Sequence, residues 1–251
     1  MYFQIASDIH IEKMYPKTPI ITDFISPSAP NLILAGDIGS IYHVECLKTF
    51  LVSCKEHFEN VIFVPGNNEY YSREGFELKT FSELNDLLVD LCKTTNIILL
   101  NNAYIETDEF IIFGSTWWSH IPDTLNMRIN LEKDRQINSD DFNYLHLTSR
   151  KCLNKVLQIK KMTNKKMIVI SHYCPTKLGT MNTHHKKDDF VDLVPYYFSS
   201  SERYLKGLVD VWIFGHTHVF RDFLFNNQFT RIISNADPRK KFFKPNFVVE
   251  F

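Results

Sequence analysis

The stretch VWIFGHTH, residues 211–218, joins an apolar run to a glycine and to two histidines that are separated by one residue. The run 211–214 is typical of a buried strand. Two imidazoles placed directly after a buried strand are costly to desolvate unless they bind something. The segment therefore predicts a strand whose carboxyl end presents His216 and His218 to a ligand.

Four further apolar runs in the chain end in the same way. Each is followed within three residues by a side chain that can bind a metal: residues 2–6 by Asp8 and His10, 32–35 by Gly36-Asp37, 61–64 by Pro65-Gly66-Asn67, and 167–170 by Ser171-His172. In an open, largely parallel sheet the carboxyl ends of the strands share one edge, where ligands bind. Seven oxygen and nitrogen donors, scattered in sequence from Asp8 to His218, are therefore expected to converge.

The residues around these donors indicate what they bind. Three of the eight glycines in the chain, Gly36, Gly66 and Gly215, directly precede donors, where a glycine lets the backbone turn sharply and lets a metal or phosphate approach closely. The donors are carboxylates, imidazoles and an amide. This set suits Mn, Fe, Zn or Mg, and the lack of thiolates argues against a structural cysteine-zinc site. Each motif alone fits an ordinary turn, but together they predict a metal centre.

The composition is that of an ordinary globular protein. Hydrophobic residues make up 44% of the 251-residue chain and charged residues 23%. This length suits one sizeable domain with a full core, so residues 1–251 are predicted to form a single domain. The formal net charge of −1 does not indicate a nucleic-acid-binding surface, and short lysine-rich stretches such as Lys160-Lys161 are expected to be solvated.

The cysteines and the apolar runs bear on where the protein is found. The five cysteines are odd in number and show no C-x-x-C pair, which is typical of free thiols in a reducing compartment. No apolar run approaches the ~20 residues that a membrane-spanning helix needs. Removal of a leader peptide would also remove the first strand and the donors behind it. We therefore expect a cytoplasmic protein without a membrane segment.

Strand-like and helical patterns alternate along the first hundred residues, which favours parallel strands with helices on the faces of the sheet. Helices are predicted over residues 41–57, 74–93 and 139–162. Consecutive strands are predicted over 101–106 and 109–117, a hairpin over 219–225 and 228–234, and a last strand over 247–251. The hairpin prediction rests on a two-residue turn at Asn226-Asn227. These elements predict two sheets, or one mixed sheet, with helices outside.

The order Asp8-x-His10, Gly36-Asp37, Gly66-Asn67-x-Glu69, His172 and Gly215-His216-x-His218 resembles that of the calcineurin-like metallophosphoesterase family. The resemblance spans nearly the whole chain, and IFGSTWWS at residues 112–119 is similar to the small, single-domain members. It implies an α/β fold of two packed mixed β-sheets flanked by helices, a four-layer αββα sandwich. It also implies two divalent metal ions at the strand ends.

The resemblance further implies the function and the role of each donor. Asp8, His10 and His218 would hold one metal, and Asn67, His172 and His216 the other, with Asp37 bridging both. The implied activity is hydrolysis of a small phosphoester, a phosphodiester rather than a phosphoprotein, by a metal-activated hydroxide. Two ions about 3.5–4 Å apart can clamp a phosphoryl group and lower the pKa of a bridging water.

One position departs from the family pattern. The family motif is Gly-Asn-His-Asp/Glu, and its histidine is thought to protonate the leaving oxygen or to steady the phosphate. This chain has Gly66-Asn67-Asn68-Glu69. An asparagine donates a hydrogen bond but no proton, and general acid catalysis is typically worth about 10²–10⁴-fold. We therefore expect reduced activity on esters with poor leaving groups, and much less loss on an activated nitrophenyl ester.

Several alternatives remain open from the sequence. Another histidine can supply the missing proton or be an ordinary surface residue: His43, His120, His184 or His185. Trp117 and Trp118 can line a pocket or fill the core, and Arg128 and Arg135 can bind phosphate or be solvated. The chain can also be a metal-binding scaffold or interaction protein that kept this fold but is catalytically weakened at Asn68. A nuclease would need a basic groove, which the net charge does not indicate.

Overall fold

The computed structural model describes residues 1–121, 127–180, 198–227 and 229–251. The strands are β1 (Tyr2–Ala6), β2 (Asn31–Ala35), β3 (Asn60–Val64), β4 (Ile98–Leu99), β5 (Ala103–Glu106), β6 (Phe110–Ser115), β7 (Asn130–Glu132), β8 (Arg135–Gln136), β9 (Lys166–Ser171), β10 (Val211–Ile213), β11 (Phe220–Leu224), β12 (Arg231–Asn235) and β13 (Val248–Glu250). The α-helices are α1 (Val44–His57), α2 (Phe81–Thr94) and α3 (Ser139–Lys161). Short 3-10 turns cover Ile11–Met14, Ile21–Asp23, Ile41–His43, Asn68–Tyr70 and Phe225–Asn227.

Two mixed sheets form the centre of the fold. The first has the order β13-β1-β2-β3-β4 and the second β11-β12-β10-β9-β6-β5, while β7 and β8 form a separate ribbon. In the first sheet β1 to β4 are parallel and β13 is antiparallel to β1. In the second, β12, β10, β9 and β6 are parallel and the edge strands β11 and β5 are antiparallel. The inner strands of each sheet therefore end at one common edge.

Successive side chains of a strand point to opposite faces of a sheet and so bury different parts of the core. Ile33 of β2 and Ile170 of β9 lie in the cluster between the two sheets. Leu34, the next residue of β2, faces a cluster that includes α1 and α2. Val169 of β9 lies in a third cluster with Leu153 of α3. The predicted αββα sandwich of two packed mixed sheets is confirmed.

The predicted helices over 41–57 and 139–162 are confirmed, although residues 41–43 form a 3-10 turn before α1. The prediction was wrong about the start of α2, which begins at Phe81 and not at residue 74. Thr80 and Glu83 explain the difference. The Thr80 hydroxyl accepts a hydrogen bond from the Glu83 amide, and the Glu83 carboxylate accepts one from the Thr80 amide. This capping box sets the first turn of the helix.

The two predicted strand pairs near residues 101–117 and 219–234 are both antiparallel hairpins. The loop of the second hairpin is longer than predicted, because Leu224 pairs with Arg231 and leaves six residues, 225–230, between the strands. Phe225 is buried in the core of the second sheet, and its amide donates to the carbonyl of Thr230. The predicted Asn226-Asn227 pair lies within this loop, where Asn226 has a positive φ of 49°.

All five cysteines are unpaired thiols, as predicted, and Cys152 is the one that is not fully buried. None of the helices in the described part of the chain is long and apolar enough to cross a membrane.

His146 makes the stability of the protein depend on pH. This residue of α3 is buried, and its Nδ1 donates to the carbonyl of Trp118 at 2.6 Å. Burial lowers the pKa of His146 to about 4, below the ~6.5 of an unfolded histidine. The unfolded chain therefore binds more protons between these values. The stability that neutral His146 contributes is present above pH 6.5 and is lost as the pH falls towards 4.

We expect His146→Gln to flatten this pH dependence, although the variant is less stable at pH 7. Urea midpoints at pH 7, 5.5 and 4.5, measured with a chelator present, should fall less in the variant than in the natural protein. The surface substitution His57→Gln is the control and should follow the natural protein. If the urea midpoint falls equally with pH in the natural protein and in both variants, His146 is not the source of the pH dependence.

Candidate metal centre

The seven predicted donors lie at the carboxyl ends of five strands. Asp8 and His10 follow β1, Asp37 follows β2, Asn67 follows β3, His172 follows β9, and His216 and His218 follow β10. The two sheets meet here, since the imidazole Nδ1 of His172, after β9, lies 3.0 Å from the carbonyl oxygen of Ala35 in β2. The structure thus brings donors from both sheets to one place.

The first group of donors consists of Asp8, His10 and His218, whose candidate ligand atoms all lie within 4.8 Å of one another. Asp8 is fully buried, and its Oδ1 is 3.3 Å from Nε2 of His218. Its Oδ2 accepts a hydrogen bond from the Ser7 hydroxyl at 2.6 Å, and the His216 amide also donates to the carboxylate. These contacts fix the carboxylate in place.

The second group consists of Asp37, His172 and His216, also within 4.8 Å of one another. Nε2 of His172 lies 3.3 Å from Oδ1 of Asp37, and 3.1 Å from both Nδ1 of His216 and Oδ1 of Asn67. The other oxygen of Asp37, Oδ2, is 3.8 Å from Nε2 of His10 in the first group. Asp37 therefore lies between the two groups and faces both.

Three of the histidines are oriented by an acceptor at Nδ1. His172 Nδ1 faces the backbone carbonyl of residue 35, His10 Nδ1 is 3.1 Å from Oε1 of Glu12, and His218 Nδ1 is 2.8 Å from Oδ2 of Asp237. An acceptor at Nδ1 keeps the proton on that nitrogen and leaves Nε2 unprotonated in the neutral ring. This is the arrangement found around histidines that bind metals.

The backbone at the donors is strained. Asp8, His10, Asp37, His216 and His218 all have positive φ, between 53° and 66°. A left-handed conformation costs a residue with a side chain of order 1–3 kcal/mol, and such residues cluster at functional sites. Both donors after β1 and both donors after β10 adopt this conformation.

The glycines before the donors also make room for other residues of the site. A Cβ atom at Gly36 would lie 2.4 Å from Nδ1 of His172, and one at Gly66 would lie 2.2 Å from Oδ1 of Asp37. A Cβ at Gly215 would lie 2.7 Å from a backbone carbonyl. The close approach in the structure is therefore by the donor side chains themselves. Of these three glycines, Gly36 has a positive φ, 84°.

Glu69 joins the loops that follow β2 and β3. Its buried carboxylate accepts hydrogen bonds from the backbone amides of Asp37, Ile38, Gly39 and Gly66 at 2.7–3.2 Å. Burial and the charge of Asp37 raise the pKa of Glu69, and the amide donors oppose that shift. Glu69 thus fixes the position of Asp37 without being one of the seven donors.

The electrostatics of Asp37 and His172 are linked. Burial alone would raise the pKa of Asp37, but the positive charge of His172 holds it well below its usual range. Against the opposing effect of burial, Asp37 raises the pKa of His172 to about 9. A proton on His172 therefore offsets the carboxylate in the metal-free protein. A cation bound between the two would displace that proton, because ligands must be deprotonated.

Asn68 is buried next to this centre and is held by Arg73. Its amide N–H donates to Oδ1 of Asp37 at 2.8 Å, and its side-chain Oδ1 accepts from the Arg73 guanidinium at 2.7 Å. The side-chain Nδ2 has no hydrogen-bond partner among the residues that the structure describes. The same guanidinium lies 3.7 Å from Glu12, which orients His10. The Asn68 side chain therefore offers an NH₂ group, with two N–H donors, that no described residue accepts.

The other candidates from the sequence lie apart from the seven donors, or their side chains bind other parts of the protein. Trp117 is fully buried, and its indole donates to Ser199 and Ser201, so the core interpretation is favoured. Arg135 forms an ion pair with Asp141 at 2.6 Å.

Four further candidates, Trp118, His43, His120 and Arg128, are not among the grouped donors. Trp118 packs on Tyr70, Phe142 and Tyr173. The ring of His43 lies 4.8 Å from those of Tyr15 and Phe76. His120 and Arg128 are exposed, and His184 and His185 lie outside the described residues.

Sequence reasoning missed three residues of the network: Glu12, Arg73 and Asp237. Asp237 follows β12 by two residues, the same strand-end signal that identified the seven donors. Glu12 continues the alternation Asp8-x-His10, which is a weak signal. Nothing in the sequence around Arg73 relates it to Asn68, because their contact depends on the fold of residues 68–73.

The donor set fits two divalent cations. Nε2 of His10 is buried and has no hydrogen-bond partner in the described part of the chain, although Asp37 lies nearby. The set combines imidazole nitrogens with carboxylate and amide oxygens, which suits first-row divalent metals. Asp37 faces both groups and offsets part of the repulsion between two ions.

Comparisons with known proteins agree with the fold and identify the family. The sequence profile of calcineurin-like phosphoesterases matches residues 1–220. The uncharacterized protein L509 of Acanthamoeba polyphaga mimivirus is 27% identical, over 88% of this chain and 86% of that one. The phosphopantetheinyl hydrolase PptH of Mycobacterium tuberculosis has a similar fold, with a TM-score of 0.67 and 16% identity over 94% of this chain and 90% of that chain.

A second similar structure, TT1561 of Thermus thermophilus, has a TM-score of 0.54 and 10% identity, over 94% of this chain and 89% of that one. At such low identity, these two structures bear on the fold alone. The family match covers most of the chain and includes every donor after β1, β2, β3, β9 and β10. The chain therefore belongs to the calcineurin-like phosphoesterase family.

Proposed function

We propose that this protein is a two-metal phosphodiesterase that hydrolyses small phosphodiesters. The main support is the position of Asp37, whose two carboxylate oxygens face the two donor groups separately. Such a carboxylate is suited to bridge two ions. Membership of the family supports the phosphoesterase chemistry, and the choice of a diester substrate is our inference.

In this proposal Asp8, His10 and His218 hold one ion, and Asn67, His172 and His216 hold the other, with Asp37 shared. Two divalent ions, of Mn, Fe, Zn or Mg, would supply polarisation of the phosphoryl oxygens and a low pKa for a bound water. The attacking water then releases a proton to solvent, and its oxygen adds to phosphorus on the side opposite the leaving alcohol. The bond from phosphorus to that alcohol breaks, and the leaving oxygen takes up a proton.

Asn68 and Arg73 determine whether the protein gives the leaving oxygen a hydrogen bond or a proton. The carbonyl of the Asn68 side chain is held by Arg73, so Nδ2 is oriented, and none of the described residues accepts a hydrogen bond from it. An amide can stabilise a developing negative charge but does not release a proton at neutral pH. In this chain the proton for the leaving oxygen is therefore expected from solvent. Esters with good leaving groups need that proton least.

The charges near the donors favour a diester over a monoester. Two arginines adjoin the network, and each already has an acidic partner: Arg73 lies near Glu12, and Arg239 donates to Asp237 at 2.7 Å. A monoester near neutral pH has almost two negative charges, whereas a diester has one. The singly charged diester is the better match to arginines that are already paired.

The proposal is tested with manganese-loaded protein and two chromogenic esters. Bis(p-nitrophenyl) phosphate should be hydrolysed with a higher kcat/KM than p-nitrophenyl phosphate, and hydrolysis should stop when the metals are removed by a chelator. Two ions per chain should be found by metal analysis. A higher kcat/KM for the monoester would overturn the diester assignment.

The alternative, a metal-binding scaffold, makes a different prediction in the same experiment. It expects two bound ions but no chelator-sensitive hydrolysis of either ester. The free Nδ2 of Asn68 favours the enzyme, because a buried donor without a partner is costly unless a ligand satisfies it.

Asp237 gives a further test of the metal ligands. Asp237→Asn removes the charge that orients His218, and outer partners of this kind typically change metal affinity by about 10–100-fold. We expect one of the two ions to bind more weakly by that factor and the other to be unaffected. Metal content after dialysis against graded manganese concentrations measures this. The control Asp108→Asn, on an exposed turn, should bind both ions normally, and a uniform change at both sites would contradict the assignment.

A further inference from the structure

A cavity of about 540 Å³ opens beside the first donor group. His10, one of its lining residues, belongs to that group, and Arg239, another, donates to the Asp237 that orients His218. Pockets for small ligands are usually about 300–1,000 Å³. The cavity is therefore large enough for an organic group attached to a phosphate that lies at the donors.

The walls of this cavity are largely apolar. Ile9, Met14, Phe24 and Pro238 supply apolar side chains to the wall. Met14 is 38% exposed and Phe24 is half-buried, so neither is needed in full for the core. Methionine adapts its shape to different apolar partners. An apolar segment of a ligand would bury these side chains.

The charged residues of the cavity favour an anion. Lys13 is exposed and has no ion-pair partner among the residues described. Arg239 uses Nε for Asp237, and its remaining guanidinium N–H groups have no described partner. The one acidic side chain, Asp23, already accepts a hydrogen bond from the amide of Ile20 through Oδ2. Among the described residues that line the cavity, Lys13 is thus the cation without an acidic partner, whereas Asp237 already offsets part of the charge of Arg239.

We propose that this cavity binds one ester group of the substrate, and that this group joins an apolar segment to a second anionic group. The phosphodiester would lie at the donors, the apolar segment against Met14 and Phe24, and the second anion near Lys13. This inference rests on the proposed function, because it assumes that a phosphodiester occupies the donors. The inference adds to that function the chemical class of one of the two ester groups of the substrate.

Binding is tested with esters of methylphosphonic acid, which have one negative charge at phosphorus and resist hydrolysis. Calorimetric titration of manganese-loaded protein compares the methyl, hexyl and 5-carboxypentyl esters. The hexyl ester should bind at least about tenfold more tightly than the methyl ester, through burial of its methylene groups. The carboxypentyl ester should bind a further three- to tenfold more tightly at low salt, about the effect of one or two exposed ion pairs. High salt should remove this second preference.

Lys13→Glu should abolish or reverse the preference for the carboxypentyl ester over the hexyl ester. Lys155→Glu, on the exposed face of α3, makes the same change of net charge and should keep the preference. Equal binding of the hexyl and carboxypentyl esters to the natural protein would overturn the inference. A preference that survives Lys13→Glu would also overturn it.

The two proposals can fail separately. Hydrolysis of methyl p-nitrophenyl phosphate is measured on the same preparation as the binding. Hydrolysis without any preference among the phosphonates would leave the proposed function standing and reject the role of the cavity. A preference that depends on Lys13, without hydrolysis, would support the cavity and reject the phosphodiesterase.

Discussion

Asp37→Asn is expected to lower kcat/KM for bis(p-nitrophenyl) phosphate by about 10³-fold or more. Metal ions supply several kcal/mol of transition-state stabilisation, and the substitution removes the charged group that faces both donor sets. Asparagine keeps an oxygen that can accept the hydrogen bond from the Asn68 amide, so the loop should retain its conformation. The loss should therefore come from the metals and not from unfolding.

The measurement for Asp37→Asn combines initial rates with metal analysis and a thermal melt. We expect fewer than two manganese ions per chain and a metal-free melting temperature close to that of the natural protein. The control Asp86→Asn, an exposed position on α2, should leave both rate and metal content unchanged. Equal activity of Asp37→Asn and the natural protein would reject the two-metal assignment.

Asn68→His is expected to raise turnover of a diester with a poor, alkyl leaving group and to change bis(p-nitrophenyl) phosphate hydrolysis much less. General acid catalysis is worth about 10²–10⁴-fold, so the gain should be large where the leaving oxygen needs a proton. Arg73 limits the gain, because its guanidinium lies 2.7 Å from the side-chain oxygen of Asn68 and would disfavour a protonated imidazole there. We expect a gain at the lower end of this range.

Arg73→Gln separates the two effects. In the Asn68→His background it should raise alkyl diester turnover further, because it removes the positive charge beside the new imidazole. In the natural background it should lower turnover, because Asn68 loses the partner that orients Nδ2. The natural protein, the two single variants and the double variant form a double-mutant cycle. If the effects of the two substitutions on alkyl diester turnover simply add, this account is wrong. No gain in Asn68→His with both metals bound would show that Asn68 does not replace an acid.

The positions of the seven donors could be predicted because each lies just beyond an apolar run, and parallel strands end at a common edge. The same rule applies to Asp237 after β12, which was missed because that strand was assigned only as half of a hairpin. The start of α2 depended on the Thr80–Glu83 capping box, and the length of the hairpin loop on the pairing of Leu224 with Arg231. These are local details that periodicity does not resolve.

The sequence by itself determined the fold class, the strand ends and the chemical types of the donors, because these depend on hydrophobic periodicity and residue identity. Only the tertiary structure decided how the donors divide around Asp37, which nitrogen of each histidine faces the centre, and that Arg73 holds Asn68. Those features depend on distances of a few ångströms between side chains from two different sheets. Positions in a chain do not specify such distances until the sheets are packed.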